Sequence, residues 1–309
     1  MKTDGEISGV ICVDKPAGIT SHDVVNRMRR LYGTRKVGHA GTLDPMATGA
    51  LVILIGRAAK AAEYITAWDK EYLAELQLGV ETDTGDITGT VRCRHEGALP
   101  DSNTVCAAAA RFVGGIVQIP PMYSALKVNG KKLVDLARQG IEVERQERTV
   151  NISKLECETI DEPSGRYRLR VVCSKGTYIR TLCEDIGRAL GCCGTMAALR
   201  RIRTGNFTVS SEITLPYLEN LSQAEREALL VPPEDLFSDF PRVTLPSFYA
   251  KLSRSGCEIY QKKIAVAYAV GTRVTLWDAD GFYAIGEVRE YPDGTAIRTV
   301  KQFRIDGSV

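Results

Sequence analysis

Lys36-Val37-Gly38-His39-Ala40-Gly41-Thr42-Leu43-Asp44-Pro45-Met46-Ala47-Thr48-Gly49 is the stretch on which the reading of this chain turns. It contains Gly38, Gly41, Gly49 and one proline, with neither helical nor strand period, and so reads as a flexible loop, ordered or mobile, that presents one carboxylate. Pro45 biases Asp44 away from the helical region. On pattern alone an Asp-Pro pair of this kind is a turn residue.

Upstream, Val10 to Val13 reads as a short apolar strand running into Lys15-Pro16. Ser21 stands at the N-cap position of a helix whose Val24, Val25, Met28 and Leu31 recur at helical spacing until Gly33 ends it. Downstream, Leu51 to Ile55 reads as a buried strand and the alanine-rich Arg57 to Ile65 as a helix. Tyr72, Ala74, Leu76 and Leu78 then alternate with polar neighbours as a half-buried strand. Thr104 to Phe112 reads as a helix broken by Gly114-Gly115. Residues 121–148 are polar and basic, an excursion from the core with an exposed turn at Asn129-Gly130 and a short helix through Leu136 and Ala137. Strand character returns at Val150 to Thr159 and Tyr167 to Cys173, followed by an amphipathic helix from Tyr178 to Leu190.

This mixed order of elements favours α+β, with a mixed, largely antiparallel sheet flanked by helices and loops, over a doubly wound parallel fold. Pro232, Pro233, Pro241 and Pro246 lie among acidic residues and mark a linker, so the expected boundary falls near residue 240. Residues 1–240 form one expected domain. Residues 241–309, with turns at Asp280-Gly281 and Asp293-Gly294, form a second, small and β-rich.

The 309 residues are 44% apolar and 25% charged, a soluble globular composition. The longest apolar stretch, Ala50 to Ile55, is far shorter than a bilayer span, and Met1 to Ser8 does not resemble a secretory signal, so a cytoplasmic location is expected. Nine cysteines form no CxxC pair and read as reduced, mostly buried fillers. With only His22, His39 and His95 besides, no metal site is expected. Phosphate-binding, dinucleotide and zinc-hydrolase motifs are missing. The net charge of +2 says little, but basic residues cluster at Arg27, Arg29, Arg30, Arg35 and Lys36, at Lys127, Lys131 and Lys132, and at Arg200, Arg201 and Arg203. One such cluster is ordinarily a solvated face; three beside glycine-rich loops point to phosphate contacts.

The loop closely resembles the catalytic loop of TruB-type tRNA pseudouridine-55 synthases, in which the aspartate of GTLDPxAxG is essential. Asp14-Lys15-Pro16-Ala17-Gly18-Ile19-Thr20-Ser21 resembles the family's N-terminal motif, Lys70-Glu71-Tyr72 its second, Pro120 to Gly140 its RNA-gripping insertion, and Arg168 to Arg180 completes the set. The resemblance implies a pseudouridine synthase catalytic domain with an RNA-binding insertion at about 121–148 and a PUA-like RNA-binding domain at the C-terminus. It casts Asp44 as the catalytic residue, Tyr72 as the ring that stacks on the uracil and Arg180 as the partner of Asp44. Tyr178, Leu199, His39 and Lys15 fall to substrate binding or to buttressing the site, and Lys127, Lys131 and Lys132 to RNA contact. Val134 departs from the aromatic carried by many relatives.

The implied reaction isomerises a uridine in the T arm of tRNA, at the elbow, without cofactor, metal or obligatory protein partner. Two other readings remain open: a guide-RNA-dependent synthase, and a non-catalytic RNA-binding or RNA-folding protein.

Overall fold

The computed structural model describes residues 7–304 except Asn129. The readings made on Met1 to Glu6, on Asn129 and on residues 305–309 lie outside the described residues. The main sheet runs in the order Gly9–Lys15, Thr48–Ile55, Gly194–Thr204, Lys70–Leu78, Arg166–Cys173, Arg148–Asp161, Gly114–Gln118. Every neighbouring pair along it is antiparallel except one: Gly194–Thr204 meets Thr48–Ile55 in parallel, through Arg200↔Thr48 and Arg201↔Gly49. Mixed and largely antiparallel is therefore the observed sheet.

Thr48–Ile55 is buried at all but its first position, because helices and loops cover both faces, which is why its sequence is continuously apolar. One of its edges carries Gly9–Lys15. The other is shared, with Val37–Ala40 pairing Val52 to Ile55 and the parallel strand taking Thr48 and Gly49. The segment read as one loop is thus strand at both ends, and only residues 41–47 project from the sheet.

Register then decides what surrounds that projection. Across five strands the row Val171, Tyr72, Arg201, Gly49, Lys15 is directly paired. Paired residues share a face of a sheet, so Tyr72, Arg201 and Lys15 lie side by side beneath residues 41–47. Gly49 (φ 101°) is required there, since a Cβ would stand 2.1 Å from the Arg201 carbonyl oxygen.

Two helices, Ser21–Leu31 and Ile179–Ala189, pack Val24, Met28, Leu182 and Ile186 against Leu51, Ile53 and Leu76. The first is capped by Thr20, not Ser21. Asp23 stands three residues after Thr20 and completes a capping box. Residues 56–67 are not one helix: the start has no side-chain cap, and Gly56–Ala61 tightens into a 3-10 turn before the short helix Ala62–Ala67.

A second sheet holds Arg242–Thr244, Arg273–Asp278, Gly281–Tyr291, Gly294–Gln302 and Ile259–Tyr260. It meets the first through an aromatic cluster, Phe237, Phe282 and Phe303 against Val52, Leu54 and Ile65. No helix among the described residues is long and apolar enough to cross a membrane.

Candidate active site

Residues 41–47 are anchored from below at nearly every carbonyl. The fully buried Lys15 ammonium donates to Pro16 O (2.8 Å), Pro45 O (3.2 Å) and Ala47 O (2.7 Å). Arg201, 1% exposed, donates to Ala50 O (2.6 Å), Gly41 O (3.0 Å) and, more weakly, Thr42 O (3.4 Å). Ser21, released from capping by Thr20, pins Leu43 in both directions, accepting from its N–H at 2.9 Å and donating to its carbonyl at 3.0 Å. Leu43 and Ala47 are buried. The expected flexible loop is therefore a held platform, in which Gly49 serves close approach and Gly41 a positive φ of 89°.

On that platform the Asp44 carboxylate, 33% exposed, faces Arg180, whose Nε lies 3.0 Å from Oδ2. Arg180 is 5% exposed. Its other nitrogens donate to Thr84 O (2.9 Å) and Tyr123 O (2.7 Å), so one guanidinium ties the carboxylate to a turn and to the start of the insertion. Burial raises the Asp44 pKa above the ordinary value, opposed by Arg180, with Asp86 adding to the rise and Lys15 countering it.

A cavity of about 410 Å³ opens beside the carboxylate, lined by His39, Asp44, Tyr72, Tyr178, Arg180 and Leu199 among others. Six of the ten residues the sequence pointed to thus meet in one place. The Tyr72 ring is 9% exposed, and burial raises its hydroxyl pKa against the pull of the neighbouring Arg201. Tyr178 is clamped through its backbone by Gln118, which accepts from its N–H at 3.0 Å and donates to its carbonyl at 3.2 Å. The His39 pKa is lowered by burial and by Arg201, and its Nδ1 is buried without a hydrogen-bond partner among the described residues. Asp44 and Arg180 also border a groove of about 750 Å³, which Lys132, Val134 and Arg138 reach from the insertion.

Two expectations need correction. Lys15, grouped with substrate contacts as well as with buttressing, does not line the cavity; its ammonium is taken up by Pro16 O and by the Pro45 and Ala47 carbonyls of the platform, which it buttresses. The basic cluster Arg200, Arg201 and Arg203 does not form an unpaired basic face. Arg200 pairs with Asp14 (2.7 Å), Arg203 with Glu71 (3.0 Å), and Arg201 lies inside. Lys127, Lys131 and Lys132 do stand exposed, on a small hairpin.

Sequence reasoning missed Lys70, Thr84, Asp86 and Tyr123. Lys70 lines the cavity, donates to Thr66 O (2.6 Å) and Trp68 O, and is pushed down to about 8 by burial and by Arg201. Asp86, 6% exposed, accepts from Thr84 Oγ1 (3.0 Å) and from the Thr88 N–H (2.9 Å). The signal for Thr84 and Asp86 was a run rich in Asp, Thr and Gly at residues 83–89 between two short strands, which marks an ordered turn.

Comparison with known proteins follows the same residues. Residues 29–179 match the model described as TruB family pseudouridylate synthase (N terminal domain), and residues 180–238 match tRNA pseudouridylate synthase B C-terminal domain. The tRNA pseudouridine synthase B of Burkholderia mallei is 45% identical over 276 residues, 89% of this chain and 90% of that protein. That of Clostridium tetani is 38% identical over 281 residues, 91% and 96% of the two. Among solved structures, a chain from a Cbf5-Nop10-Gar1 complex superposes with a TM-score of 0.70 at 26% identity, covering 97% of this chain and 85% of that one.

Proposed function

The chain belongs to the TruB family of pseudouridylate synthases, and we propose that it isomerises the uridine at position 55, in the T loop of tRNA, to pseudouridine, with Asp44 as the catalytic carboxylate and no cofactor. The observation that carries this reading is the ion pair between Asp44 and the buried Arg180 at the wall of a cavity faced by the Tyr72 ring. Its volume of about 410 Å³ falls within the roughly 300–1,000 Å³ of small-molecule pockets.

The isomerisation breaks an N-glycosidic bond and forms a C-glycosidic bond to the same base. It consumes no water and changes no oxidation state. Attack on the base, attack on the sugar carbon and removal of a sugar proton all begin from an ionised carboxylate at the sugar–base junction. Burial works against that ionised form and Arg180 opposes that effect.

The uridine must first leave its stack, at a cost of a few kcal/mol. Stacking on Tyr72 returns about 1–3 kcal/mol, and phosphate contacts by Lys127, Lys131 and Lys132 supply the remainder. In this reading His39, Tyr178 and Leu199 frame the base, and the division near residue 240 separates catalysis from a PUA-like RNA grip. A tRNA substrate places the work in the cytoplasm.

Asp44→Asn, nearly isosteric and uncharged, is expected to abolish pseudouridine formation in a T-arm transcript while leaving tRNA affinity within about threefold. Residual turnover comparable to wild type would remove Asp44 from the mechanism. Wild-type activity on naked tRNA, without added RNA or protein, separates this reading from a guide-dependent one and from a purely RNA-binding one.

A further inference from the structure

Cys93 and Cys193 are 100 residues apart in sequence, and their sulfurs are 2.8 Å apart. Both are free thiols. The cysteines were expected to be mostly buried, yet only Cys173, Cys183 and Cys192 are.

The two partners differ in how firmly they are held. Cys193 immediately precedes the strand Gly194–Thr204 and adopts φ 56°, a left-handed conformation that non-glycine residues take rarely. Gly79 N–H donates to the carbonyls of both Cys192 (3.1 Å) and Cys193 (3.2 Å). The helix Ile179–Ala189 presses Gly187 so close that a Cβ there would stand 2.3 Å from the Cys193 carbonyl carbon. Cys192 meanwhile packs into the main core, leaving Cys193 as the thiol presented outward. Cys93 lies exposed on the short strand Val91–Arg94, opposite Glu81 of Val80–Thr82.

We propose that Cys93 and Cys193 form a reversible dithiol–disulfide site, a point of thiol modification by low-molecular-weight disulfides that fastens the hairpin of residues 80–94 to the start of the strand Gly194–Thr204. The chemistry balances through two exchanges. The Cys93 thiolate attacks one sulfur of a small disulfide such as oxidised glutathione, forming a mixed disulfide and releasing one thiolate. Cys193, its proton passed to water, then attacks the Cys93 sulfur, forms the intramolecular bond and releases the second. Two protein thiols are oxidised while one small disulfide is reduced to two thiols. The order follows from exposure, and from the Cys193 thiol being raised to about 11 chiefly by its bond with Cys93.

Because the sulfurs already touch, reaching the roughly 2.05 Å of a disulfide requires less than about 1 Å of movement, and the exposed Cys93 strand can supply it. The hairpin's turn carries the Thr84 carbonyl that holds Arg180, so closure preserves the site rather than disrupting it. The bond is a lock, with activity within about twofold of the reduced protein. It closes a loop of about 100 residues, which constrains the unfolded chain and raises Tm by roughly 5 °C or more.

The test is to incubate the reduced full-length protein with excess oxidised glutathione, quench with acid, alkylate free thiols, digest and map by mass spectrometry. A linked Cys93–Cys193 peptide is expected, lighter by two hydrogens and lost on reduction, together with the Tm rise. The exposed, isolated Cys257 should end as a glutathione adduct, and Cys93→Ser should lose both the linkage and the gain in Tm. A persistent glutathione adduct on Cys93 with Cys193 still alkylated, a bond between molecules, or a linkage without a Tm rise would each overturn the proposal. None of these readouts depends on pseudouridine formation.

Discussion

Replacing Arg201 with Met tests the structure against the sequence most sharply, because the two assign the residue opposite jobs. Read from sequence, Arg201 belongs to a basic cluster on the RNA. In the fold it is 1% exposed and donates to Gly41 O and Ala50 O at 3.0 and 2.6 Å. Each hydrogen bond from a charged donor contributes about 1.5–3 kcal/mol net. The 3.4 Å approach to Thr42 O adds little. Against the loss stands relief: Arg201 depresses the ammonium groups of both Lys15 and Lys70, and removing it lifts that repulsion. The balance is a destabilisation of about 2–4 kcal/mol, or a fall of roughly 3–6 °C in Tm for a chain of this size. Thermal unfolding by circular dichroism measures it. In parallel, tRNA affinity over a range of salt concentrations should keep its wild-type slope, since no phosphate contact is lost. An unchanged Tm with a slope reduced by about one would refute the structural assignment and reinstate the phosphate contact.

The pH profile should be bounded unusually on both sides. Asp44 acts ionised and its pKa is raised by burial, so activity falls on acidification at a pH above the ordinary carboxylate range. Lys15 holds three carbonyls as an ammonium, whereas the neutral amine has two hydrogens; with its pKa pushed down to about 8 by burial, activity declines as pH rises through that value. Lys15 and Lys70 titrate lower folded than unfolded, so between about 8 and 10.5 the unfolded chain binds more protons and both contribute stability that increases with pH. Activity falling while this contribution to urea stability grows is the expected signature, and a basic limb near the free-lysine value would refute it. For the insertion, Lys131→Ala with Lys132→Ala should reduce the salt slope of tRNA binding by about 1.5–2 and leave single-turnover chemistry at saturating enzyme unchanged. An unaltered slope would take the hairpin off the RNA.

Much of the fold was legible because its signals were local. Alternation in residues 70–78, the apolar spacing of Val24, Val25, Met28 and Leu31 and the turns at Asp280-Gly281 and Asp293-Gly294 each depend on neighbours a few positions away. What could not be read was register. Nothing near residue 201 announces that it pairs with Tyr72 on one side and Gly49 on the other, so a buried structural arginine looked like its surface neighbours. The platform was misjudged for the same reason: its glycines advertise freedom, while the groups that remove it sit at residues 15, 21 and 201. Asp44 itself emerged only through resemblance, since an Asp-Pro pair carries no local mark of chemistry.

The cations around the site are bonded in a way that bears on catalysis. Arg200 and Arg203, at the margin, are neutralised by Asp14 and Glu71. Lys15, Lys70 and Arg201, around and beneath the cavity, bond carbonyl oxygens in every hydrogen bond given above. Carbonyls satisfy the donors without cancelling the charge, so the positive potential survives beside the cavity, where partial burial weakens screening. Its cost is visible in the two depressed lysines. Its return is a field that attracts a phosphate backbone, and its Lys15 component joins Arg180 in opposing the rise that burial imposes on the Asp44 pKa. Replacing Lys15 with a neutral residue should therefore raise the Asp44 pKa further and move the acid limb of activity upward, although its side chain does not line the cavity.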